Sequence, residues 1–323
     1  MDIHELFKTY QKDNNFSQYT PRELYEPIDY ILSLGGKQIR PLLALMACQL
    51  FSKEVRAALP IAAAVEIFHN FSLVHDDIMD ASPIRRGQPA VHKKFNTNTA
   101  ILSGDVMLVY AYEHLSKVSP ALLPIILPVF NVVAIGVCEG QQMDVNFETQ
   151  ATVSLAEYTR MIELKTSILL YGAMKMGALV GGASIEDAEL IGEFGRNMGI
   201  AFQMQDDWLD TFGAQAKVGK RIGGDIVQNK KTALVIKALE LADEATEAEL
   251  NQLLSSSPVA EDEAAKIERV TSIFKDLGIP DEMKKIMAIY KDKAIHHLNL
   301  LNVSDDAKKS LYGFLDMLME REH

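Results

Sequence analysis

The sequence predicts an all-α protein, on three observations. Helix-start signatures recur along the chain, alternating strand patterns bounded by hairpin turns do not, and one long segment is apolar on nearly all sides. Thr20-Pro21-Arg22-Glu23 combines a capping threonine, proline at the first helical position and glutamate three residues on, so a helix should start there. Pro41 can open a second helix running through Leu50. Ala62 to Asp80 is the segment that is apolar all round, as expected of a helix inside a large bundle. Ser154-Leu155-Ala156-Glu157 repeats the capping box at the head of a helix expected over 154–180. Further helices are expected near 97–117, 124–145, 185–212, 228–244, 261–277, 281–302 and 305–320. Ser255-Ser256-Ser257-Pro258 reads as a turn between helices and is too short for a domain linker, so residues 1–323 read as one domain.

Composition narrows the function classes. A chain of 323 residues with 48% hydrophobic content can bury a substantial core. A net charge of −12 argues against a nucleic-acid surface, which needs an extended basic face. Cys48 and Cys138 both lie in apolar stretches; they are too few for a disulfide framework and read as buried thiols of a reducing, cytoplasmic setting. Met1 to Asn15 lacks the basic-then-apolar order of a secretory signal. The one membrane-like run, Ala121 to Cys138, is broken by Pro124, Pro128 and Asn131 and reads as a buried core helix, so no membrane span is expected.

One acidic pattern occurs twice, as Asp76-Asp77-Ile78-Met79-Asp80 and Asp206-Asp207-Trp208-Leu209-Asp210, each near the end of a long apolar helix. Residues four apart share a helical face, so Asp76 with Asp80, and Asp206 with Asp210, can present two carboxylates to one side. Two like charges roughly 4 Å apart repel by about 4 kcal/mol at an effective dielectric near 20, so a buried pair needs a cation or strong hydrogen bonds. Hard carboxylate oxygens suit Mg²⁺, which binds through one or two carboxylates plus substrate phosphates; a calcium loop would need a turn-forming glycine these segments lack. A single copy could be a solvated acidic face. Two copies in apolar surroundings favour the metal.

Cations gather at Gly35-Gly36-Lys37-Gln38-Ile39-Arg40-Pro41, at Arg85-Arg86-Gly87 and over Lys217 to Lys231. Arginine meets phosphate with paired hydrogen bonds and lysine supplies a point charge, so these groups could hold diphosphate ends. With His69 seven residues before Asp76, then Lys165-Thr166, Phe202-Gln203-Met204-Gln205-Asp206-Asp207, Gly219-Lys220 and Gly224-Asp225 followed by Lys230, the order resembles the polyprenyl synthetase family of trans-isoprenyl diphosphate synthases over roughly residues 35 to 232.

The resemblance implies a bundle of antiparallel helices around a deep central cavity, the isoprenoid synthase type, usually as a homodimer, with three Mg²⁺ bridging aspartate motifs that face across the cavity mouth. It implies Asp76, Asp80 and Asp206 as principal metal ligands, with Asp77, Asp207 and Asp210 ligating or acting behind them. Lys37, Arg40, His69 and Arg86 would hold isopentenyl diphosphate; taken in isolation, a histidine such as His69 is more often a packed core residue. Arg85, Lys165, Lys220 and Lys230 would clamp the allylic diphosphate (dimethylallyl, geranyl or farnesyl), with Thr166 and Gln203 beside the reacting carbons. Lys165, Lys220, Lys230 and the principal aspartates would act directly in the chemistry, the head-to-tail joining of a prenyltransferase. Metal and cations would stabilise the departing pyrophosphate, itself the base expected to take the proton.

Ser167 stands where a small glycine or alanine is common in the family, Gln228-Asn229 precede Lys230 where an acidic residue and glycine are common, and Trp208 takes an aliphatic position in the second motif. A terpene cyclase is the rival enzyme, but its second motif normally mixes Asn, Ser or Thr with Glu. A catalytically silent subunit should have lost aspartates or clamp residues, and here all are present. Phe71 lies five positions before Asp76, about 7.5 Å along a helix. In the resembling family a bulky residue there limits chain growth. With Ser72 small, no insertion in the first motif and Phe68 able to assist, the pattern looks closest to twenty-carbon synthases, with fifteen carbons the alternative; Phe71 could also merely pack between helices.

Overall fold

A computed structural model describes residues 2–213, 223–255 and 262–319. The described residues are mostly helical, as the all-α class predicts. They fall into two compact units, Met1–Val132 with Leu169–Gly192 and Leu301–Ala307, and Val133–Ile168 with Glu193–Leu300 and Lys308–His323.

In the first unit, α1 (Ile3–Asp13) is capped by the Asp2 carboxylate, and α2 (Arg22–Ser33) begins one residue later than the Thr-Pro-x-Glu signature predicts: Pro21, not Thr20, is its N-cap, and no side chain caps it. α3 (Ile39–Phe51) starts two residues before Pro41. The central helix is α4 (Leu59–Met79), buried from Ala62 through Phe68 and packed along α3 and along α6 (Thr97–Leu115). Between α4 and α6 the chain makes a two-stranded ladder, β1 (Ile84–Arg85) with β2 (Gln88–Pro89). The sequence gives no sign that Arg85-Arg86-Gly87 is a turn; here Arg86 and Gly87 take φ of 53° and 74°, the paired left-handed geometry of a tight hairpin turn. A short α5 (Val91–Lys94) follows.

α7 (Leu123–Thr149) corrects the expectation of a buried core helix over Ala121 to Cys138. Ile126, Phe130, Val133 and Val137 form its buried stripe, but Val132 and Ile135 are 59% and 58% exposed and Cys138 is exposed; only Cys48 is a buried thiol. One stripe is all that a helix lying against a core needs to bury. By length and composition Val55–Met79 and Leu123–Thr149 could each cross a bilayer; the first has 67% of its apolar window buried in the protein.

Beyond α7 the helix expected over 154–180 is interrupted. α8 (Leu155–Ile162) begins with the complete Ser154–Glu157 capping box, residues Glu163–Ser167 form a π-helical turn, and α9 (Ile168–Val180) resumes beyond it. α10 (Ile185–Phe212) matches its expected span and ends in the second acidic motif. The segment expected as one helix over 228–244 is instead Gly224–Val227 and Ala233–Leu241, with Glu244–Ser255 a further helix that sequence reading missed. Ser255 closes that helix, and Ser256 to Pro258 lie outside the described residues. Glu263–Asp276, Ile279–Leu300 and Asp305–Met319 complete the chain, and the second unit's core joins Met204, Val270, Phe274 and Met283.

Candidate active site

The last turn of α4 sorts the first motif by helical angle. Asp76 and Asp80 share one face, the Asp80 amide donating to the Asp76 carbonyl at 2.8 Å, with Asp76 partly buried and Asp80 exposed. Asp77 points the other way and is 1% exposed. The hairpin carries Arg85 back onto it, donating from Nε at 3.1 and 3.2 Å and from Nη2 at 2.5 Å. Burial works against the Arg85 charge, but the Asp77 contact and the nearby Asp76 and Asp80 outweigh it and raise its pKa.

Two turns earlier, α4 meets the start of α3. Arg40 Nη1 lies 3.1 Å from His69 Nε2. Guanidinium nitrogens only donate, so Nε2 accepts and the ring is neutral. Burial and the charges of Arg40, Arg86 and Arg85 hold the His69 pKa well below its ordinary value. Beneath them is Glu66, 4% exposed, which sequence reading missed although a lone carboxylate in an apolar run was its signal. It accepts from Asn70 Nδ2 at 3.0 Å, and Asn70 Oδ1 in turn accepts from Arg86 Nη1 at 3.4 Å. Burial raises the Glu66 pKa, opposed by Asn70 and by the Arg40 and Arg86 charges. His69 is thus a member of a charged cluster rather than an isolated core histidine, and Lys37 stands exposed on the loop leading into it. Two guanidinium groups around a neutral imidazole suit phosphate oxygens.

The second motif repeats the sorting. Asp206 is exposed, Asp210 accepts from the Asp225 amide at 3.0 Å, and the middle Asp207 is 6% exposed. Tyr158 donates its hydroxyl to Asp207 Oδ2 and Gln203 Nε2 donates to Oδ1 at 3.3 Å. Burial, joined by the Asp225 charge, pushes the Asp207 pKa up to about 8, against the pull of those two hydrogen bonds. Thr166 donates to Gln203 at 3.4 Å, Lys165 pairs with Asp144 at 2.5 Å, and Lys230 lies 3.5 Å from Asp225. Tyr158 and Asp144 had no sequence signal, since their partners come from distant segments. Lys220 lies outside the described residues. Trp208 packs on Phe212 at 5.4 Å and on the unit's core.

Among the described residues no three His, Cys, Asp or Glu side chains gather into a self-sufficient metal cage. Each motif instead offers an i, i+4 carboxylate pair, the donor set from which Mg²⁺ binds when phosphate and water complete its shell. Deeper along α4, Phe68 is 1% exposed and meets Phe71 at 5.5 Å and Phe130 at 5.4 Å, while Phe71 and Ser72 are only partly buried.

Residues 21–271 match the family model for polyprenyl synthetases. The chain belongs to the polyprenyl synthetase family. Membership makes it a trans-prenyltransferase. A geranylgeranyl diphosphate synthase of Methanosarcina mazei is 38% identical over 305 residues, 94% of this chain and 91% of that one. A crystal structure of a geranylgeranyl pyrophosphate synthase superposes with a TM-score of 0.94 at 40% identity, over 99% of this chain and 98% of that one. Another family structure, geranylgeranyl pyrophosphate synthase from Corynebacterium glutamicum complexed with isoprenyl diphosphate and magnesium, gives 0.84 at 25% identity over 98% and 96%.

Proposed function

We propose that this prenyltransferase condenses isopentenyl diphosphate head to tail with allylic diphosphates to give a short all-trans prenyl diphosphate, geranylgeranyl diphosphate ahead of farnesyl diphosphate. The observation that carries the reading is the repeated sorting of aspartates. On two helix ends the middle aspartate is buried and bonded within the protein, while Asp80 and Asp206 are exposed and Asp76 and Asp210 partly buried.

In this reading Asp76, Asp80, Asp206 and Asp210 offer oxygens to magnesium, three ions per site, and Asp77 and Asp207 hold those helix ends in register. Bound magnesium would supply positive charge to the diphosphate as the allylic carbon–oxygen bond breaks. Lys37, Arg40 and Arg86 hold the isopentenyl diphosphate, and His69, neutral because Arg40 occupies Nε2, has Nδ1–H left to donate. Lys165 and Lys230, with Lys220, hold the allylic diphosphate. Arg85, with its donors on Asp77, acts there mainly by charge. Gln203 and Thr166 border the allylic carbons. The alkene attacks the allylic cation, and the released pyrophosphate takes the proton. Phe71 floors the channel that receives the growing chain. Residues 1–323 act as one catalytic domain, in a homodimer, and the free thiols Cys48 and Cys138 fit a cytoplasmic setting.

The test is to incubate the protein with isopentenyl diphosphate and dimethylallyl, geranyl or farnesyl diphosphate, with and without Mg²⁺, following pyrophosphate release and chromatographing the dephosphorylated products. A twenty-carbon alcohol formed only with Mg²⁺ is expected. Pyrophosphate released from the allylic substrate alone would point to a cyclase, and no release with any partner would point to a silent subunit.

A further inference from the structure

α4 and α6 touch at a point that bears directly on Phe71. The His75 ring lies over Gly104 of α6, where a Cβ would stand 2.2 Å from His75 Nε2 and 2.6 Å from Cδ2. Carbon contacts settle near 3.5–4.0 Å, so the ring occupies space that any other residue at 104 would fill. His75 Nε2 is also 3.1 Å from the Ile101 carbonyl oxygen. A carbonyl only accepts, so Nε2 carries the proton and the bond fixes the ring against α6. One helical turn back, Phe71 meets that ring edge-on, with centroids 4.9 Å apart and planes at 66°.

Phe71 is therefore held between two supports, His75 toward the acidic motif and Phe68 on the deeper side. The supports differ in stiffness. Phe68 and its neighbour Phe130 are 1% and 0% exposed and have nowhere to move, whereas Phe71 is only partly buried. Any displacement of the His75 ring is thus taken up by Phe71.

We infer that Gly104 and His75 are positioning residues for product length: the bare α-carbon at 104 seats the His75 ring, and that ring sets where Phe71 stands. The inference rests on the reading of Phe71 as the channel floor. Removing His75 opens the space that its ring fills against α6, and Phe71, swinging sideways into that space, clears the channel and deepens it. A methyl at 104 drives the ring off Ile101 and onto Phe71, which shortens it.

The test compares products of Phe71→Ala, His75→Ala, Gly104→Ala and the His75→Ala/Gly104→Ala pair by chromatography after dephosphorylation, with circular dichroism to verify folding. His75→Ala should raise the ratio of the next longer product to the wild-type product roughly tenfold or more, the scale on which an apolar pocket discriminates small changes of length. Gly104→Ala should move the distribution toward the shorter product. The pair should behave as His75→Ala alone, because the added methyl then meets no ring. General destabilisation lowers turnover without altering this ratio. If Phe71→Ala lengthens the product and His75→Ala does not, the floor stands and the relay is overturned. If Phe71→Ala leaves the length unchanged, the floor fails and takes the relay with it. An equal Gly104→Ala shift with and without His75 would also overturn the relay. Should Gly104→Ala not fold, His75→Ala decides alone.

Discussion

Within each acidic motif a rotation of 100° per residue gives neighbouring aspartates different work. Asp77 and Asp207 turn inward, onto Arg85 and Tyr158, while Asp80 and Asp206 are exposed and Asp76 and Asp210 partly buried. Asp76→Ala or Asp206→Ala should therefore keep the helical fold while lowering turnover on the order of a thousandfold, the scale of losing one well-placed electrostatic stabiliser. Initial rates at saturating Mg²⁺ check this; near-normal turnover in either variant would sink the ligand assignment. A different residue governs stability in acid. His114 is 3% exposed, with Nδ1 3.3 Å from the Tyr10 hydroxyl. Burial, then the charge of Lys117, lowers its pKa from 6.5 to about 4. Between those values the unfolded chain binds a proton that the folded chain refuses. Stability present above pH 6.5 is thus lost as pH falls through about 4, by about 3 kcal/mol if this residue acts alone. Urea titrations across that window should show a flatter acid loss for His114→Gln than for the wild type, and parallel losses would refute the assignment.

At the scale of elements, the π-helical turn Glu163–Ser167 is the feature the sequence concealed. Its flanks follow an unbroken apolar pattern, and one extra residue in a turn leaves little trace in periodicity. The cause lies on α7, where Gly140 faces the turn so closely that a Cβ would sit 2.3 Å from the Lys165 amide nitrogen and 2.7 Å from Leu164 C. Asp144, one turn on, pairs with Lys165. α7 thereby seats and aims the lysine. At Gly136 a Cβ would meet only side-chain tips, Ile168 Cδ1 at 2.7 Å and Leu164 Cδ2 at 3.3 Å. Side-chain tips can give way and backbone atoms cannot. Gly140→Ala should therefore cost about 1–3 kcal/mol and lower kcat with it, while Gly136→Ala stays below about 1 kcal/mol. Denaturant midpoints and kcat for the two variants measure the contrast, and equal effects would show that the seat is not rigid. Helices with strong signals, such as Ile185–Phe212 and the capped start of Leu155–Ile162, were legible in advance. So was the face that Asp76 shares with Asp80. Glu66, Tyr158 and Asp144 were not, because each matters through a partner in space.

On the scale of the whole molecule, the same limit explains why α7 reads as a buried core helix in the sequence: hydropathy reports that a face seeks cover and not which chain covers it. Leu102 and Val109 of α6 are 57% and 65% exposed, seven residues apart and so on one stripe; Ile125 and Val132 of α7 repeat that spacing at 40% and 59%. The Tyr112 hydroxyl donates to Asn131 at 2.9 Å and ties the two helices together beside these residues. Parallel apolar stripes on adjoining helices suit a second copy of the same surface, since a two-fold axis lets each stripe pack against its own image. Unpaired charge placed there would be buried in a dimer but solvated in a monomer. Val109→Glu with Val132→Glu should therefore leave the protomer folded, because both positions face water when it stands alone, and should break the assembly. Sedimentation equilibrium should give the wild type twice the 35.9 kDa chain mass and the double variant the single mass. A wild type already at the single mass, or a double variant that remains paired, would place the homodimer contact elsewhere or remove it.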